Sequence, residues 1–314
     1  NERIVKKIKQ GDQAAIILNQ TPFYGESGGQ VGDIGILQNK NFKFIVKDTT
    51  KIFGNFFLHW GEVLEGEGVI EDQVTSSIKV ERRNLIRNNH SSIHLLHASL
   101  RKTLGNHVTQ KGSLVNDKKL RFDFSHNNPI SIEIILRIEL LVNDMINKKF
   151  SVETQILDRK TAINSGAMAL FGEKYGDEVR VISMGKINDD IFSSELCGGT
   201  HVKNTGNIEK FKIINQSSVS SGVRRIEAVT YIEVDNYNKI ENLKKSEHKI
   251  KTKQEIKKYI DLIQNLNSSK AVQLNSDLSL ENQLKEIKKK YNEYNMSSKI
   301  QNNKEKVIVE KIGK

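Results

Sequence analysis

Two pairs of metal-binding side chains, each pair four residues apart, constrain this chain more than any other feature. His90 and His94 lie in the stretch N-H-S-S-I-H-L-L-H at residues 89–97. That stretch has a helical pattern, and residues four apart share a helix face, so both imidazoles can point at one atom. Cys197 and His201 repeat the spacing in C-G-G-T-H, with the only cysteine of the chain and two glycines that free the backbone between them. Three imidazoles and one thiolate suit a tetrahedral zinc ion. Either half alone is better read as ordinary histidines or an inert buried thiol. Together they favour a metal site of His90, His94, Cys197 and His201. Around the helix, His97 and Arg101 follow the same arc, while Ile93, Leu96, Leu100 and Leu104 form the neighbouring apolar stripe. Asn89 reads as the N-cap and Gly105 as the stop. His97 reads as a neighbour of the site or as exposed. The H-E-x-x-H signature of zinc proteases is absent, because Ser91 stands where their glutamate would be. That argues against a peptidase.

The length of 314 residues suggests two or three domains. The chain does not begin with methionine, which reads as a piece of something longer or a processed product. A single cysteine excludes an internal disulfide and fits a reducing, cytoplasmic setting. There is neither a long apolar run nor a secretory pattern at the start. The net charge of +11 favours a polyanionic partner such as nucleic acid, although charge alone discriminates weakly.

The pattern predicts an α+β fold in three parts. Residues 1–78 read as a β-rich, barrel-like subdomain, with Phe42, Phe44 and Val46 alternating as in a half-buried strand. Inside it, residues 21–33, T-P-F-Y-G-E-S-G-G-Q-V-G-D, specify turns and close backbone approach. They lack the spacing of a phosphate loop, and read as a turn beside a bound substrate or as a plain hairpin. Residues 79–233 mix strands and helices without regular alternation, which suggests a helix-covered sheet carrying the metal site. Two helices are expected first, one over 79–88 and then the histidine helix. Pro129 opens another, running to about residue 149. Residues 234–314 hold 18 lysines, no arginine and 11 acidic residues. Leu262, Leu266, Leu284, Ile287 and Tyr291 at helical spacing predict a helical hairpin or coiled coil. Val307, Ile308 and Val309 read as the start of a strand leading into a further domain. A homodimer through this tail, or through that further domain, is left open.

These stretches, together with V-T-Q-K-G-S-L-V (108–115), R-F-D-F-S-H (121–126), G-A-M-A-L-F-G-E-K-Y (166–175), E-L-C-G-G-T-H (195–201) and S-G-V-R-R-I-E-A-V (221–229), resemble the editing half of the bacterial alanyl-tRNA synthetases. The likeness runs in order from about residue 10 to 232. Free-standing alanyl-tRNA editing proteins share the glycine stretch and both metal motifs, and the threonyl-tRNA synthetase editing domain shares only the latter.

The resemblance implies an editing hydrolase that belongs to an alanine–tRNA ligase of protein biosynthesis. Its substrate would be tRNA(Ala) mischarged with serine or glycine. A pocket shaped for alanine cannot exclude glycine, and rejects an added hydroxyl weakly, so a second hydrolytic site restores accuracy. By motif position His90, His94, Cys197 and His201 would hold one zinc ion, Gln110 would sit in the substrate pocket as the catalytic residue, and Gly28 and Gly29 would lie near the tRNA end. ATP would belong only to an aminoacylation domain upstream of residue 1. Ile93 departs from the family, which commonly has threonine there; an alkyl group cannot hydrogen-bond a serine hydroxyl. Arg121, Arg224 and Arg225 are candidates for phosphate or terminal-adenosine contacts, or ordinary surface arginines. A structural zinc module that binds tRNA without catalysis is the main alternative, and a metallohydrolase for another substrate is the third.

Overall fold

In a computed structural model, residues 4–54, 56–169, 176–188, 190–266 and 273–312 are described, without the side chains of Ile187 and of 298–312. The segment 170–175, part of one quoted motif, lies outside them. Two units are distinguished, Asn1–Asp235 and Asn236–Lys314. The first is α+β, built from three antiparallel sheets and the helices packed on them.

The first sheet comprises β1 (Lys7–Lys9), β2 (Gln13–Ile17), β3 (Gly35–Gln38), β4 (Phe42–Ile52), β5 (Phe56–Val69) and β6 (Thr75–Ile78). The order is β1-β5-β4-β3-β6, with β2 also paired to the long β5. The alternation read from Phe42, Phe44 and Val46 is real, since all three are buried with Phe23, Leu37 and Val63 in one small core. Beyond Val46 a register shift before Asp48 twists the β4–β5 ribbon.

The central element is α1 (Val80–Leu104). The two helices expected over 79–97 are one continuous helix of 25 residues. Gly105 does stop it, at φ 116°, with its N–H returning to the Arg101 carbonyl. Asn89 is not a cap. It is buried in mid-helix, where its amide donates to the Asn116 carbonyl at 2.8 Å and accepts from Thr230 Oγ1 at 2.7 Å. An amphipathic edge was the expectation, but every residue from Asn88 to Leu100 is buried. The helix runs through the interior, so its polar residues must find partners within the protein. Leu95, Leu96 and Leu100 are fully enclosed, each such side chain contributing about 1.5–3 kcal/mol on burial.

Around α1 lie β7 (Gln110–Val115), β8 (Leu120–Ser125), α2 (Ile132–Asn147), β9 (Val152–Asp158), α3 (Arg159–Asn164), β10 (Glu178–Ile187), β11 (Asp190–Leu196), a short 3-10 turn at Thr205–Ile208, β12 (Phe211–Ser220) and β13 (Val223–Thr230). One sheet has the order β12-β13-β8-β7 and the other β11-β10-β9. Ile86, Leu95, Leu96, Phe122, Phe124, Ile138, Ile182 and Ile226 belong to the shared core. Ser131, not Pro129, begins α2; its side chain accepts from Ile134 N.

The second unit contains most of α4 (Ile232–Leu266) and all of α5 (Leu280–Ile312), which carry a small core of Ile256, Ile263 and Ile287. Tyr259 meets Tyr291 with ring centroids 5.4 Å apart. On α5 the expected face holds, with Ile287 buried and Leu284 and Tyr291 packed against the same core. On α4 it is displaced by one residue, since Ile263 is buried and Leu266 is 39% exposed. Residues 307–309 continue α5 and do not begin a strand. Among the described residues no helix is long and apolar enough to cross a membrane.

Candidate metal centre and adjoining pocket

The four residues singled out by spacing converge. His90 and His94 project from one face of buried α1, and Cys197 and His201 come from the loop that follows β11. One ligand atom from each lies within 4.8 Å of all the others. Cys197 Sγ is 3.5 Å from His90 Nε2 and 3.2 Å from His201 Nε2. Burial pushes the His90 and His201 imidazoles well below their ordinary pKa, and neighbouring cations push the same way. His94 is lowered by burial as well, against an opposing effect of Glu195. Neutral imidazoles are the form that ligates a metal, so the donor set fits a tetrahedral ion of the zinc type.

Each imidazole has its other nitrogen turned towards a protein group, which selects the nitrogen left for a metal. His90 Nδ1 donates to Gln30 Oε1 at 2.7 Å. His201 Nδ1 lies 3.2 Å from Ser91 Oγ, which also accepts from Val202 N at 3.1 Å. His94 Nδ1 lies 3.4 Å from Glu195 Oε2, an ion-pair distance without hydrogen-bond geometry. The other oxygen of Glu195 is 3.0 Å from His97 Nδ1. Burial raises the Glu195 carboxyl, but the two imidazoles outweigh it and hold the group below its ordinary range. His97 is therefore neither exposed nor a ligand: it anchors the carboxylate behind His94.

The loop is braced from two sides. Gln30 Oε1 accepts a second hydrogen bond, from Thr200 N at 2.9 Å, and its amide donates to Thr200 Oγ1 at 3.0 Å. Arg180 Nη1 donates to the carbonyls of Cys197 at 3.1 Å and Gly199 at 2.6 Å. The two glycines differ in their demands. A Cβ on Gly199 would run into the His90 ring, whereas one on Gly198 would meet no atom within 4 Å.

Gln30 is delivered by the glycine stretch, which lies along the edge of β7. Val115 N donates to the Gly29 carbonyl at 2.7 Å and Val31 N to the Val115 carbonyl at 3.0 Å. Gly28 and Gly29 have φ of 57° and 81°, a left-handed turn that glycine adopts without steric cost. Asp33, at the end of the stretch, forms a buried ion pair with Arg83 of α1 through both carboxylate oxygens. Burial and the nearby Arg87 push Arg83 down to about 10.

A cavity of about 110 Å³ adjoins the cluster, lined among others by Tyr24, Gly28, Lys51, Ile93 and Gln110. Gln110, Ile93 and Gly28 are thus brought beside the four ligand residues, with Gly29 next to them in the turn. Arg121, Arg224 and Arg225 do not line it. Arg225 makes a two-bond pair with Asp123 at 2.6 and 2.7 Å, and Arg121 lies 3.5 Å from the same carboxylate. Gln30, Glu195 and Arg180 had no role in the sequence reading, and Ser91 entered it only as the residue standing where a zinc protease has its glutamate. Gln30 and Glu195 stand inside quoted motifs, but their partners are up to 170 residues away.

Two family models match the chain. One, described as the threonyl and alanyl tRNA synthetase second additional domain, matches residues 179–227. These span most of β10, all of β11, the loop of Cys197 and His201 and the strands as far as β13. The other, described as tRNA synthetases class II (A), matches residues 1–82, covering the first sheet and the start of α1.

Proposed function

We propose that this chain, which is related to the alanyl-tRNA synthetases, hydrolyses the ester of tRNA(Ala) mischarged with serine or glycine at a zinc site. The observation that carries this reading is the convergence of His90, His94, Cys197 and His201 beside a small pocket that contains Gln110. Two of these ligands lie within the match to the second additional domain.

Zinc would be held by Cys197 Sγ and the Nε2 atoms of the three histidines, and when bound it supplies Lewis-acid polarisation or a more acidic water. The chain itself contributes position and exclusion. Gln30 and Ser91 would hold the His90 and His201 rings by hydrogen bonds, and the Glu195 carboxylate stands behind His94. The pocket's volume of about 110 Å³ suits a small aminoacyl group and a few waters. Gln110 carries an amide, which can donate and accept hydrogen bonds but cannot transfer a proton at neutral pH. Its role is then to orient the substrate. Ile93 offers an alkyl wall, so recognition of a serine hydroxyl falls to the other lining residues. ATP chemistry would belong to a separate aminoacylation domain.

Four protein ligands are the set of a closed, structural zinc site, and this favours one second reading, a tRNA-binding module without catalysis. Deacylation of seryl-tRNA(Ala) by the chain and by its Cys197→Ala variant separates the two. Hydrolysis abolished in the variant supports editing. An ester that survives both proteins, with tRNA still bound, supports the structural module.

A further inference from the structure

The β4–β5 hairpin next to the pocket ends in an aromatic tip. Phe53 is 90% exposed, Phe56 52% and Ile52 38%. Phe53 also holds φ at 48°, followed by Gly54 at 80°. A bulky residue in the left-handed region costs conformational energy, and a bare phenyl ring returns nothing to folding. Scattered exposed apolar residues need no explanation, but this tip is continuous with the site. Lys51 pairs across the ribbon with Phe57, its Nζ 5.0 Å from the ring centroid, and Lys51 also lines the pocket. The glycine stretch packs against the same pair, since a Cβ on Gly25 would meet Lys51 and Phe57. A pocket-lining lysine on a strand that continues into exposed aromatic rings is the composition of a single-stranded nucleic-acid surface.

From this we infer that Phe53 and Phe56 form a stacking platform for the unpaired 3′ nucleotides of the tRNA, with Lys51 meeting the phosphate nearest the pocket. This rests on the tRNA-ester reading of the pocket. A nucleotide chain whose terminal ribose sits by the metal cluster must leave past the lining residues, and Lys51 of β4 is one of them. Stacking is sequence-tolerant, because every base has a π-face.

The test uses the full chain and its Phe53→Ala/Phe56→Ala variant. Both side chains are exposed, so the fold is expected to be unchanged. Binding is measured to unacylated tRNA(Ala) and to the same tRNA shortened by its unpaired 3′ nucleotides. The expected result is at least about thirtyfold weaker binding of intact tRNA by the variant, the lower bound for the loss of two stacked bases, with the shortened tRNA bound equally by both. Equal binding of intact tRNA by both proteins would overturn the platform, as would equal losses on the two RNAs. A variant that lost only self-association, seen by sedimentation, would assign the tip to a second copy and also overturn it. Seryl-tRNA hydrolysis is scored separately: no hydrolysis by the wild-type chain defeats the editing reading and leaves the binding comparison interpretable.

Discussion

Replacing Gln30 by alanine tests how the metal centre is held. Gln30 is fully buried and makes three hydrogen bonds, to His90 Nδ1, Thr200 N and Thr200 Oγ1, at 2.7, 2.9 and 3.0 Å. At about 0.5–1.5 kcal/mol net per bond, the loss comes to roughly 1.5–4.5 kcal/mol of stability. His90 also becomes free to rotate or to change tautomer. Removing such an outer partner typically costs about 10–100-fold in metal affinity. Zinc affinity, measured by competition with a chromophoric chelator, should fall by that factor, with a lower melting temperature in the metal-free protein. Gln30→Glu is the control. It keeps an oxygen for His90 and Thr200 N and places a carboxylate behind the imidazole, so it should recover most of the affinity lost in the alanine variant. A folded Gln30→Ala protein with wild-type zinc affinity would refute the argument that this contact orients His90.

Four further outcomes follow. Gly199→Ala should lose zinc binding because its methyl displaces the His90 ring, whereas Gly198→Ala should retain it; equal behaviour in the chelator assay would contradict the close-approach argument. Arg83→Ala leaves the buried Asp33 carboxylate unpaired and should cost about 3–5 kcal/mol in denaturant unfolding, with a change below 1 kcal/mol counting against it. The metal-free chain should lose stability as pH falls below 6.5, the ordinary histidine value. There the unfolded chain takes up protons that His90, His94 and His201, depressed by burial, do not, so an unfolding midpoint that is flat down to pH 5 would exclude it. In the helical unit, Ile263→Ala should cost about 2–5 kcal/mol, read from thermal loss of helicity, and no shift would deny the Ile263 core.

The clustering of His90, His94, Cys197 and His201 was legible because four-residue spacing is a local property, and Gly105 because a C-terminal glycine is one too. Asn89 was misjudged by the same local logic. An asparagine ahead of an apolar run suggests a cap, and nothing nearby in sequence reveals that Asn116 and Thr230 enclose it. His97 lies on the same arc as the ligands, and only the burial of Glu195 behind it gives it a purpose. Arg121 and Arg225 were weighed as phosphate contacts or ordinary surface arginines, and the sequence did not reveal that β8 and β13 place Asp123 beside both. Interior polar groups are the hardest to foresee, since their meaning depends on partners that folding brings from far along the chain.

The bridge from Gln30 to Thr200 spans 170 residues, and its consequence concerns the order of assembly. Closing so long a loop carries an entropic cost that local contacts do not repay in advance. The first sheet, the long helix and the loop after β11 must all dock before His90 is fixed, so capture of the proposed zinc ion would be a late event in folding. Metal uptake would thus act as a timer that reports the completed chain, lagging behind the rise of helical signal in a refolding experiment. A protein cut back to begin at α1 would keep all four ligands yet take up zinc loosely, having lost the arm that tells one imidazole which way to face.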